Sequence, residues 1–383
     1  MVIKMPKTKE EKINLIKRNL EEIITEEDLR KLIKSGEKLK HYIGFEISGK
    51  IHLGTGLMAM LKIKDFIDAG VNVTVFLADW HTWINDKLGG DREKIKKVAV
   101  NYFKEGMKAS ILCLGGNPQK INFLLGTELY HNHDEYWATL IDVSKNTTLA
   151  RMMRSITIMG REEGEGIDFA KLIYPPMQVA DIFFQGVHLA HAGMDQRKAH
   201  VIARDVALKL KIHPLRNKNG KQIKPIAVHH HLLLGLGKPS IWPIPKNKLL
   251  DLWASLKMSK SQPDTCVYIH DEPEEVRRKI NNAFCPEGEV EFNPVLDWTK
   301  YLIFREKESQ LTIDRPAKFG GNMTYKNYSN LEKDFKAKKL HPIDLKNAVS
   351  KALINLLEPA RKHFAKPNIK KMLKELDKML ITR

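Results

Sequence analysis

Two short segments combine residue types that suit the binding of phosphate groups. The turn His52-Leu53-Gly54-Thr55 lies between a strand-like stretch and a helical pattern. A helix N-terminus at this place offers N–H groups and a positive dipole to phosphate, and Gly54 and Gly56 allow a ligand to approach the backbone. Much later, Lys257-Met258-Ser259-Lys260-Ser261 places two lysines around serines in a loop, and such cations stabilise charge on a phosphate chain. Each segment alone also has an interpretation without phosphate binding. His52 is then a structural residue of the turn, and the lysine-rich segment is a solvated basic loop.

A second group of polar residues lies in apolar surroundings. Tyr42 belongs to the first strand-like stretch, and Gln196 belongs to the segment GMDQRK. Tyr174, Gln178 and Asp181 are spaced by four and then three residues, which places them on one face of a helix. Their neighbours are Ile, Val and Phe, so we expect this face to point into the interior as a binding surface. The alternative is a solvent-exposed helix face.

The elements that position these residues follow from the hydrophobic pattern. Residues 8–36 have the pattern of two capped helices. The apolar stretch ending at His52, the helical stretch to Gly70 and the apolar stretch VNVTVFLADW predict a strand, a crossover helix and a parallel strand. INFLLGTEL is also strand-like, LIYPPMQVADIFFQGVHLAHAG continues the α/β pattern, and KPIAVHHHLLLGLG predicts another apolar strand. The fold class is therefore predicted to be α/β, with a Rossmann-like, doubly wound parallel sheet and a C-terminal α-helical domain.

Changes in composition divide the chain into four predicted parts. Residues 1–40 form a helical leader, and residues 41–262 form the Rossmann-like catalytic domain, with an insertion at about 100–170. Residues 263–275 form a linker after the lysine-rich loop. Residues 276–383 are helical and rich in lysine, and form a separate domain.

Charge and cysteine content narrow the class of protein. The net charge of +18 favours polyanionic partners such as nucleic acids, although a lysine-rich surface also serves solubility. No apolar run is long enough to span a bilayer, and the N-terminus lacks the pattern of a secretory signal. Three separated cysteines fit no zinc or disulfide spacing, so we expect a cytoplasmic protein. Adjacent His229, His230 and His231 alternate between strand faces and cannot all reach one metal ion; we expect no metal site.

The pair of phosphate-binding segments resembles the paired ATP-binding motifs, HIGH and KMSKS, of class I aminoacyl-tRNA synthetases. Their order and context make a chance match improbable. Thr55 stands where a second histidine is common, which weakens any catalytic role for Thr55 itself. The resemblance implies ATP as substrate, with Mg²⁺ accompanying it. It implies catalytic roles for His52, Lys257 and Lys260, and ATP contacts for Gly54, Gly56, Met258, Ser259 and Ser261.

Other segments sharpen the resemblance. YIGFEISGKIHLG, LADWH, IYPPMQVAD, GMDQRKAH and KFGG are similar to segments of archaeal and eukaryotic-type tyrosyl-tRNA synthetases. The implied reaction activates L-tyrosine with ATP to tyrosyl-adenylate and pyrophosphate, and then transfers the tyrosyl group to the terminal adenosine of its tRNA. By the same likeness, Tyr42 and Asp181 bind the phenolic hydroxyl. Tyr174, Gln178 and Gln196 bind the amino group, and His81 lines the pocket.

The resemblance also assigns residues to the tRNA. Phe319, His341 and Asp344 match positions tied to the first anticodon base, although Asp344 also fits a helix N-cap. Four cations are candidates for the acceptor stem: Arg151, Arg154, Arg197 and Lys198. The insertion resembles the connective peptide at which two subunits of the family meet, so we expect a homodimer.

Three alternatives remain open from the sequence. Tryptophanyl-tRNA synthetases share the fold and both ATP motifs, but would not be expected to carry Tyr42 and Asp181 in these contexts. A small nucleotidyltransferase of the same superfamily would not need a basic helical domain. A non-catalytic RNA-binding paralogue should have lost parts of the ATP set, whereas His52 and Lys257 are both present.

Overall fold

A computed structural model describes residues 7–161, 168–239, 241–242, 256–258 and 262–381. The predicted residues Ser259, Lys260 and Ser261 lie outside this part of the chain. Helices cover much of the described chain: α1 (Lys9–Lys17), α2 (Glu26–Ser35), α3 (Ala59–Asp68), α4 (Asp79–Ile84), α5 (Arg92–Val98), α6 (Lys104–Cys113), α7 (Gly126–Tyr130), α8 (Asp134–Lys145), α9 (Leu149–Ser155), α10 (Tyr174–Phe184), α11 (Arg197–Val206), α12 (Pro273–Asn281), α13 (Pro294–Trp298), α14 (Tyr328–Lys336), α15 (Pro342–Phe364) and α16 (Pro367–Ile381).

Among the described residues, one sheet of six strands organises the first two thirds of the chain. In the order β1-β6-β5-β2-β3-β4, all neighbours are parallel except β1 and β6. The strands β5 and β6 are buried at every residue, and β2 and β3 are buried at half or more of their residues, as a parallel sheet covered by helices requires. The predicted Rossmann-like class is confirmed. The strands are β1 (Leu20–Ile24), β2 (Lys40–Phe45), β3 (Asn72–Leu77), β4 (Ile121–Leu125), β5 (Leu189–Gly193) and β6 (Ile226–His230).

The strand order reverses between β2 and β5. From β2 the chain continues through α3 to β3, with Tyr42 opposite Thr74, and later returns to place β5 on the other side of β2. In open parallel sheets, ligands bind in the crevice at the carboxyl ends of the strands where such a reversal occurs. The segments that follow β2, β3 and β5 therefore define the expected site.

The N-terminal segment contains the two predicted helices and one strand that the sequence pattern did not reveal. Thr8 and Glu11 form a capping box on α1, and the Thr25 side chain accepts from the Asp28 N–H at the start of α2. Between these helices, β1 pairs antiparallel with β6. Since β1 completes an edge of the sheet, the helical leader expected for residues 1–40 also contributes to the catalytic sheet.

The C-terminal helices pack on the sheet domain through a continuous apolar core. Buried side chains of α12 and α15 join the cluster that contains α3 and α6. A short antiparallel hairpin, β7 (Leu311–Ile313) and β8 (Met323–Tyr325), lies between the helices. Residues 266–269, expected within a linker, instead hydrogen bond to the chain around His52, and Cys266, Val267 and Ile269 are fully buried. Within the described residues, no helix has the length and apolar character to cross a membrane.

His231 holds the junction between the sheet and the helical part. Its ring contacts Asp297 Oδ1 through Nε2 at 2.7 Å and Glu21 Oε1 through Nδ1 at 3.1 Å. It also stacks on the ring of Tyr301, with 3.8 Å between centroids. Burial opposes a charge here, but the hydrogen bonds to Asp297 and Glu21 prevail and raise the pKa of His231 to about 9. A buried imidazolium therefore joins β1, the end of β6 and α13.

This junction predicts a loss of stability at alkaline pH. The folded pKa of His231 lies above its unfolded value of about 6.5, so its contribution is complete below pH of about 6.5 and is lost as the pH rises towards 9. The contribution is on the order of 3 kcal/mol. In thermal unfolding between pH 6 and 9.5, the wild-type melting temperature should fall more steeply than that of His231→Gln. Equal slopes would show that His231 is not charged in the folded protein.

Candidate active site

The His52 turn, residues 51–56, follows β2 and leads into α3 through a π-helical turn, Gly54–Met58. Nδ1 of His52 accepts from the Thr55 N–H at 3.3 Å, so Nε2–H is the donor to Thr55 Oγ1 at 3.2 Å. A Cβ at Gly54 would lie only 3.2 Å from the His52 ring. Gly54 thus lets the imidazole lie across the turn. The threonine at the variable fourth position orients the histidine and has no evident catalytic contact.

Gly56 allows close packing between the His52 turn and α6. A Cβ at Gly56 would lie 2.6 Å from Ser110 Oγ, which belongs to α6, and 2.9 Å from an Ile51 methyl group. Gly56 is buried, so its small size permits close packing of α6 against the turn. The expectation that Gly56 opens the backbone to a ligand is not supported by this packing.

The beginning of the second motif lies beside the His52 turn. Met258 N–H donates to Leu233 O at 2.9 Å, and a Cβ on Gly54 would lie 3.8 Å from Met258 Cβ. The Nζ of Lys257 contacts Asp195 Oδ2 at 2.5 Å. Two segments that are distant in sequence therefore meet at one side of the site.

Asp195 is a site residue that the sequence analysis did not assign. It follows the end of β5, next to Gln196, and its carboxylate faces the Lys257 ammonium group. Asp195 and Lys257 therefore form an ion pair at this edge of the sheet, and Lys257 belongs to the phosphate-binding segment. The quoted segment GMDQRK contained this residue, but its sequence gave no indication of its partner.

The predicted polar face of α10 is buried, so the alternative interpretation as a solvent-exposed helix face is wrong. Asp181 is fully buried, and its Oδ1 accepts hydrogen bonds from the hydroxyls of Tyr130 and Tyr136, both at 3.0 Å. Its Oδ2 has no hydrogen-bond partner, and His81 Nε2 lies 3.8 Å away. A buried carboxylate oxygen without a partner is costly, and so marks a place for an incoming donor.

The environment of Asp181 disfavours its charged form. Burial raises the pKa of Asp181 to about 8, opposed by the hydrogen bonds from Tyr130 and Tyr136, while the nearby carboxylate of Asp79 raises it further. Buried ionisable groups with strongly shifted pKa values concentrate at functional sites. Burial also lowers the pKa of His81 to about 3, so this imidazole is neutral at physiological pH.

The remaining predicted site residues lie close to Asp181 or contact one another. Tyr42 is buried on β2, and the raised pKa of its phenol is caused by burial and by the charge of Asp181. Tyr174 packs edge-on against His81, with 4.6 Å between ring centroids. Gln178 Nε2 donates to Gln196 Oε1 at 3.3 Å, while Gln178 Oε1 is buried without a partner. We call Tyr42, His81, Tyr174, Gln178, Asp181 and Gln196 the carboxylate pocket.

Three further residues support the carboxylate pocket. Tyr130 and Tyr136 hold Asp181, and Glu46, after β2, accepts from Asn85 Nδ2 at 2.8 Å and from the Tyr174 hydroxyl. The aromatic-rich segment ELYHNHDEYW was the available signal for the two tyrosines. The position of Glu46 at the carboxyl end of a central strand was the signal for that residue.

The three adjacent histidines take separate protein partners, as strand alternation requires. His229 contacts His200 at 3.0 Å and Glu22 at 2.9 Å, His230 contacts His191 at 2.8 Å, and His231 joins the junction described above. Within the described residues, no group of three or more His, Cys, Asp or Glu side chains could hold a metal ion.

The candidate anticodon residues lie at the start of α15. His341 is the N-cap, with Nδ1 accepting from the Ile343 N–H at 3.2 Å. Asp344 lies in the first turn of the helix and is half-buried, so the N-cap interpretation of Asp344 is wrong. Phe319 ends a short 3₁₀ turn, and its side chain lies outside the described part.

Arg315 joins the two candidate anticodon segments. Its guanidinium donates to Gly321 O at 3.2 Å, beside Phe319, and to Lys339 O at 3.1 Å, beside His341. The KFGG segment and the N-terminus of α15 are therefore held near each other, although they are separate in sequence.

The candidate acceptor-stem cations lie on α9 and α11. Arg154, Arg197 and Lys198 are exposed, and Lys198 Nζ donates to Arg154 O at 2.9 Å. Arg197 is paired with Glu22, and Arg151 is paired with Asp205. These cations form one surface next to Gln196, and two of them already have acidic partners within the chain.

Comparison with known proteins agrees with this geometry. The family described as class I tRNA synthetases (W and Y) matches residues 34–358. The tyrosine–tRNA ligase of Thermococcus sibiricus is 62% identical over 359 residues, which are 93% of this chain and 95% of that protein. The corresponding ligase of Thermococcus kodakarensis is 61% identical over 370 residues, 96% of this chain and 98% of that protein.

Solved structures give the same result. The tyrosyl-tRNA synthetase of Pyrococcus horikoshii, in complex with L-tyrosine, superposes with a TM-score of 0.93 at 59% identity, covering 96% of this chain and 100% of that chain. A tryptophanyl-tRNA synthetase of Aeropyrum pernix shares only the fold, with a TM-score of 0.65 at 18% identity over 92% of this chain and 84% of that one. The chain therefore belongs to the class I tRNA synthetases for tryptophan and tyrosine, and within them to the tyrosine–tRNA ligases, which use ATP.

Proposed function

We propose that the carboxylate pocket binds L-tyrosine and that Asp181 recognises its hydroxyl. The observation that carries this proposal is the buried Oδ2 of Asp181, which lacks a hydrogen-bond partner while Oδ1 is occupied by Tyr130 and Tyr136. A substrate phenol can donate to Oδ2, with Tyr42 as the second contact. Phenylalanine would leave that oxygen buried and unpaired, which is the arrangement that rejects an analogue by about 10⁴–10⁵ without editing.

The amino group of the substrate has acceptors at the other end of the pocket. Gln178 Oε1 is buried and unpaired, and Gln196 and the Tyr174 hydroxyl are close by in the same wall. An ammonium group offers three donors and needs several acceptors. His81 is neutral and packs against Tyr174, so we assign it to shaping the pocket.

The reaction needs positioning and charge stabilisation more than proton transfer. The tyrosine carboxylate is ionised at neutral pH and attacks the α-phosphorus of ATP, and pyrophosphate leaves. We assign His52 to the phosphates and Lys257, together with Lys260, to the β- and γ-phosphates. Lys257 contacts Asp195, a contact that it must exchange for phosphate when ATP binds. The family resemblance extends the ATP contacts to Ser259 and Ser261.

Magnesium fits this site as a companion of ATP. The described residues contain no carboxylate cluster that could form a dedicated cage, and Mg²⁺ is commonly held by substrate phosphates and water. It would neutralise phosphate charge. The tyrosyl group of the adenylate then passes to the terminal adenosine of tyrosine tRNA, and we place this reaction in the cytoplasm.

ATP–pyrophosphate exchange with tyrosine, tryptophan, phenylalanine or no amino acid tests the substrate directly. We expect exchange with tyrosine alone, because only its hydroxyl supplies the missing donor to Asp181. Exchange with tryptophan alone would keep the ATP site and overturn the assignment of the pocket. No exchange by folded protein would favour the RNA-binding alternative.

Asp181→Asn tests the recognition of the hydroxyl. Replacing one carboxyl oxygen by an amide NH₂ group leaves a buried hydrogen bond unmade at a cost of about 1–3 kcal/mol, so kcat/KM for tyrosine should fall by about 5- to 150-fold, while the KM for ATP should change little. Asp142→Asn is the matched control, because Asp142 is a buried aspartate that accepts from the backbone N–H groups of Lys211 and Ile212. If both variants lose the same activity, Asp181 has only a structural role.

We also propose that the start of α15 reads the anticodon. Asp344 lies in the first helical turn without serving as the cap, and His341 is exposed beside it. A carboxylate at this place can accept from the edge of a guanine, and the Phe319 ring suits stacking on an unpaired base. The exposed cations Arg154 and Lys198 suit the acceptor stem.

Asp344→Ala should weaken tyrosylation of tRNA and leave pyrophosphate exchange unchanged. We expect the KM for tRNA to rise by about tenfold, the effect of losing roughly 1.4 kcal/mol of binding. Glu358→Ala is the control, because Glu358 lies on the same helix and pairs only with Lys362 in an exposed i,i+4 contact. Normal tRNA charging by Asp344→Ala would exclude this assignment.

We propose a homodimer that forms through the insertion. Trp137 and Ile141 on α8, and Leu149 and Met153 on α9, are spaced by four residues and are 37–67% exposed. Outward apolar faces on two successive helices are typical of an interface between subunits. The resemblance of the insertion to the connective peptide of the family supports a second copy of this chain as the partner.

Light scattering after gel filtration tests this interface. Ile141→Glu places a charge at the centre of the apolar face and should convert the dimer into a monomer. Ile343→Glu is the control, because Ile343 is equally exposed but lies on α15. A wild-type monomer, or a dimer that survives Ile141→Glu, would contradict the proposed interface.

A further inference from the structure

One buried phenol outside the carboxylate pocket contacts the chain beside His52. The hydroxyl of Tyr102 accepts a hydrogen bond from the Ile51 N–H at 3.0 Å and lies 3.1 Å from His270 Nε2. Tyr102 belongs to the π-helical turn Ala99–Phe103 between α5 and α6, and is 1% exposed. Neither the family motifs nor the proposed substrate contacts assign a role to this residue.

The direction of these two hydrogen bonds depends on the charge states of Tyr102 and His270 and on the tautomer of His270. Burial raises the pKa of the Tyr102 phenol, so the hydroxyl keeps its proton. Burial also lowers the pKa of His270 to about 4, so its imidazole is neutral. With the imidazole proton of His270 on Nδ1, Tyr102 donates to His270 Nε2 while it accepts from Ile51. The hydroxyl uses both capacities, which fixes its orientation towards the backbone N–H.

The other backbone groups around His52 are also held by tertiary contacts. Ile51 O accepts from the Ile269 N–H at 3.1 Å, and the Leu53 N–H donates to Val267 O at 3.0 Å. The chain on both sides of His52 is thus paired with the segment that follows the KMSKS motif. Tyr102 supplies the remaining bond, to the N–H of Ile51.

The two C-terminal helices, α15 and α16, contact the residues that surround the His52 turn. Phe364, the last residue of α15, packs against the rings of Tyr102 and His270, with centroid distances of 5.7 and 5.1 Å. Asp377 of α16 forms an ion pair with Lys50 at 2.7 Å, one residue before Ile51. Contacts from the end of the chain therefore reach the entrance of the His52 turn.

We propose that Tyr102 is a positioning residue for ATP, and that Phe364 and Asp377 make the C-terminal helices part of its support. Tyr102 acts through the Ile51 backbone and places His52 against the phosphates. This inference rests on the proposed role of His52. It gives α16, whose function the sequence left open, a role in activation that does not require contact with tRNA.

The geometry explains why the effect should fall on ATP and spare tyrosine. Tyr102 contacts the His52 turn, whereas the carboxylate pocket is formed by residues of β2, α4 and α10 and by Gln196 after β5. Without the hydroxyl, the Ile51 N–H and His270 Nε2 remain buried without this partner. The turn can then relax, and reacting groups that are misplaced by even a small distance lose rate steeply.

Tyr102→Phe removes the hydroxyl and retains the ring. In pyrophosphate exchange we expect kcat/KM for ATP to fall by about tenfold, the effect of roughly 1.4 kcal/mol, with the KM for tyrosine unchanged. Tyr325→Phe is the matched control, because it removes a buried hydroxyl that donates to Asp334 in the helical part. A purely structural role for Tyr102 would not separate the two substrates.

Asp377→Asn provides a second test at an exposed position, where loss of folding is not expected. Removal of the ion pair with Lys50 should raise the KM for ATP by about two- to fivefold, as expected for a contact of up to about 1 kcal/mol. Wild-type values for ATP in both Asp377→Asn and Tyr102→Phe would overturn the inference. If Tyr102→Phe does not fold, the result for Asp377→Asn decides. An inactive wild-type protein would instead overturn the proposed function.

Discussion

The buried carboxylate of Asp181 is the constraint to which the rest of the pocket responds. A carboxylate without solvent must find donors, and α10 alone offers none. Tyr130 and Tyr136 supply two donors, but both are directed to Oδ1. The other oxygen remains unpaired among aromatic rings and the neutral imidazole of His81. The unpaired oxygen costs stability, and in the proposed complex the phenol of tyrosine would supply the missing hydrogen bond.

The topology of the sheet explains why the pocket around Asp181 lies next to the proposed ATP site. Tyr42 and the His52 turn belong to the same stretch of chain, and the strand order reverses on one side of it, between β2 and β5. Asp195 and Gln196 directly follow β5. Asp195 contacts Lys257 and Gln196 contacts Gln178, so the carboxylate pocket and Lys257 lie side by side. In the proposed reaction, residues that lie on or after the central strands position both substrates, so that their reacting atoms can be held in line.

Local patterns made much of this arrangement predictable from the sequence. The βαβ unit followed from apolar strands around a helical period, and the buried face of α10 followed from the spacing of Tyr174, Gln178 and Asp181. The partners of Asp181 could not be found in this way, because Tyr130 and Tyr136 lie about fifty residues earlier, on helices whose packing no local period reveals. Strand β1 was missed because LEEII lies between two strong helix signals and alternates poorly.

The continuous core shows why the helical domain is more than an appended anticodon reader. Its helix α15 has 23 residues, and at 1.5 Å per residue it spans about 35 Å. One end carries His341 and Asp344, and the other end packs Phe364 against Tyr102. Pro359 removes one backbone hydrogen bond near the C-terminal end of α15, yet Leu345 at one end and Phe364 at the other belong to the same buried core. The proposed anticodon reader at one end and the proposed support of His52 at the other are therefore parts of one packed element, so that a change in packing at either end is expected to affect both.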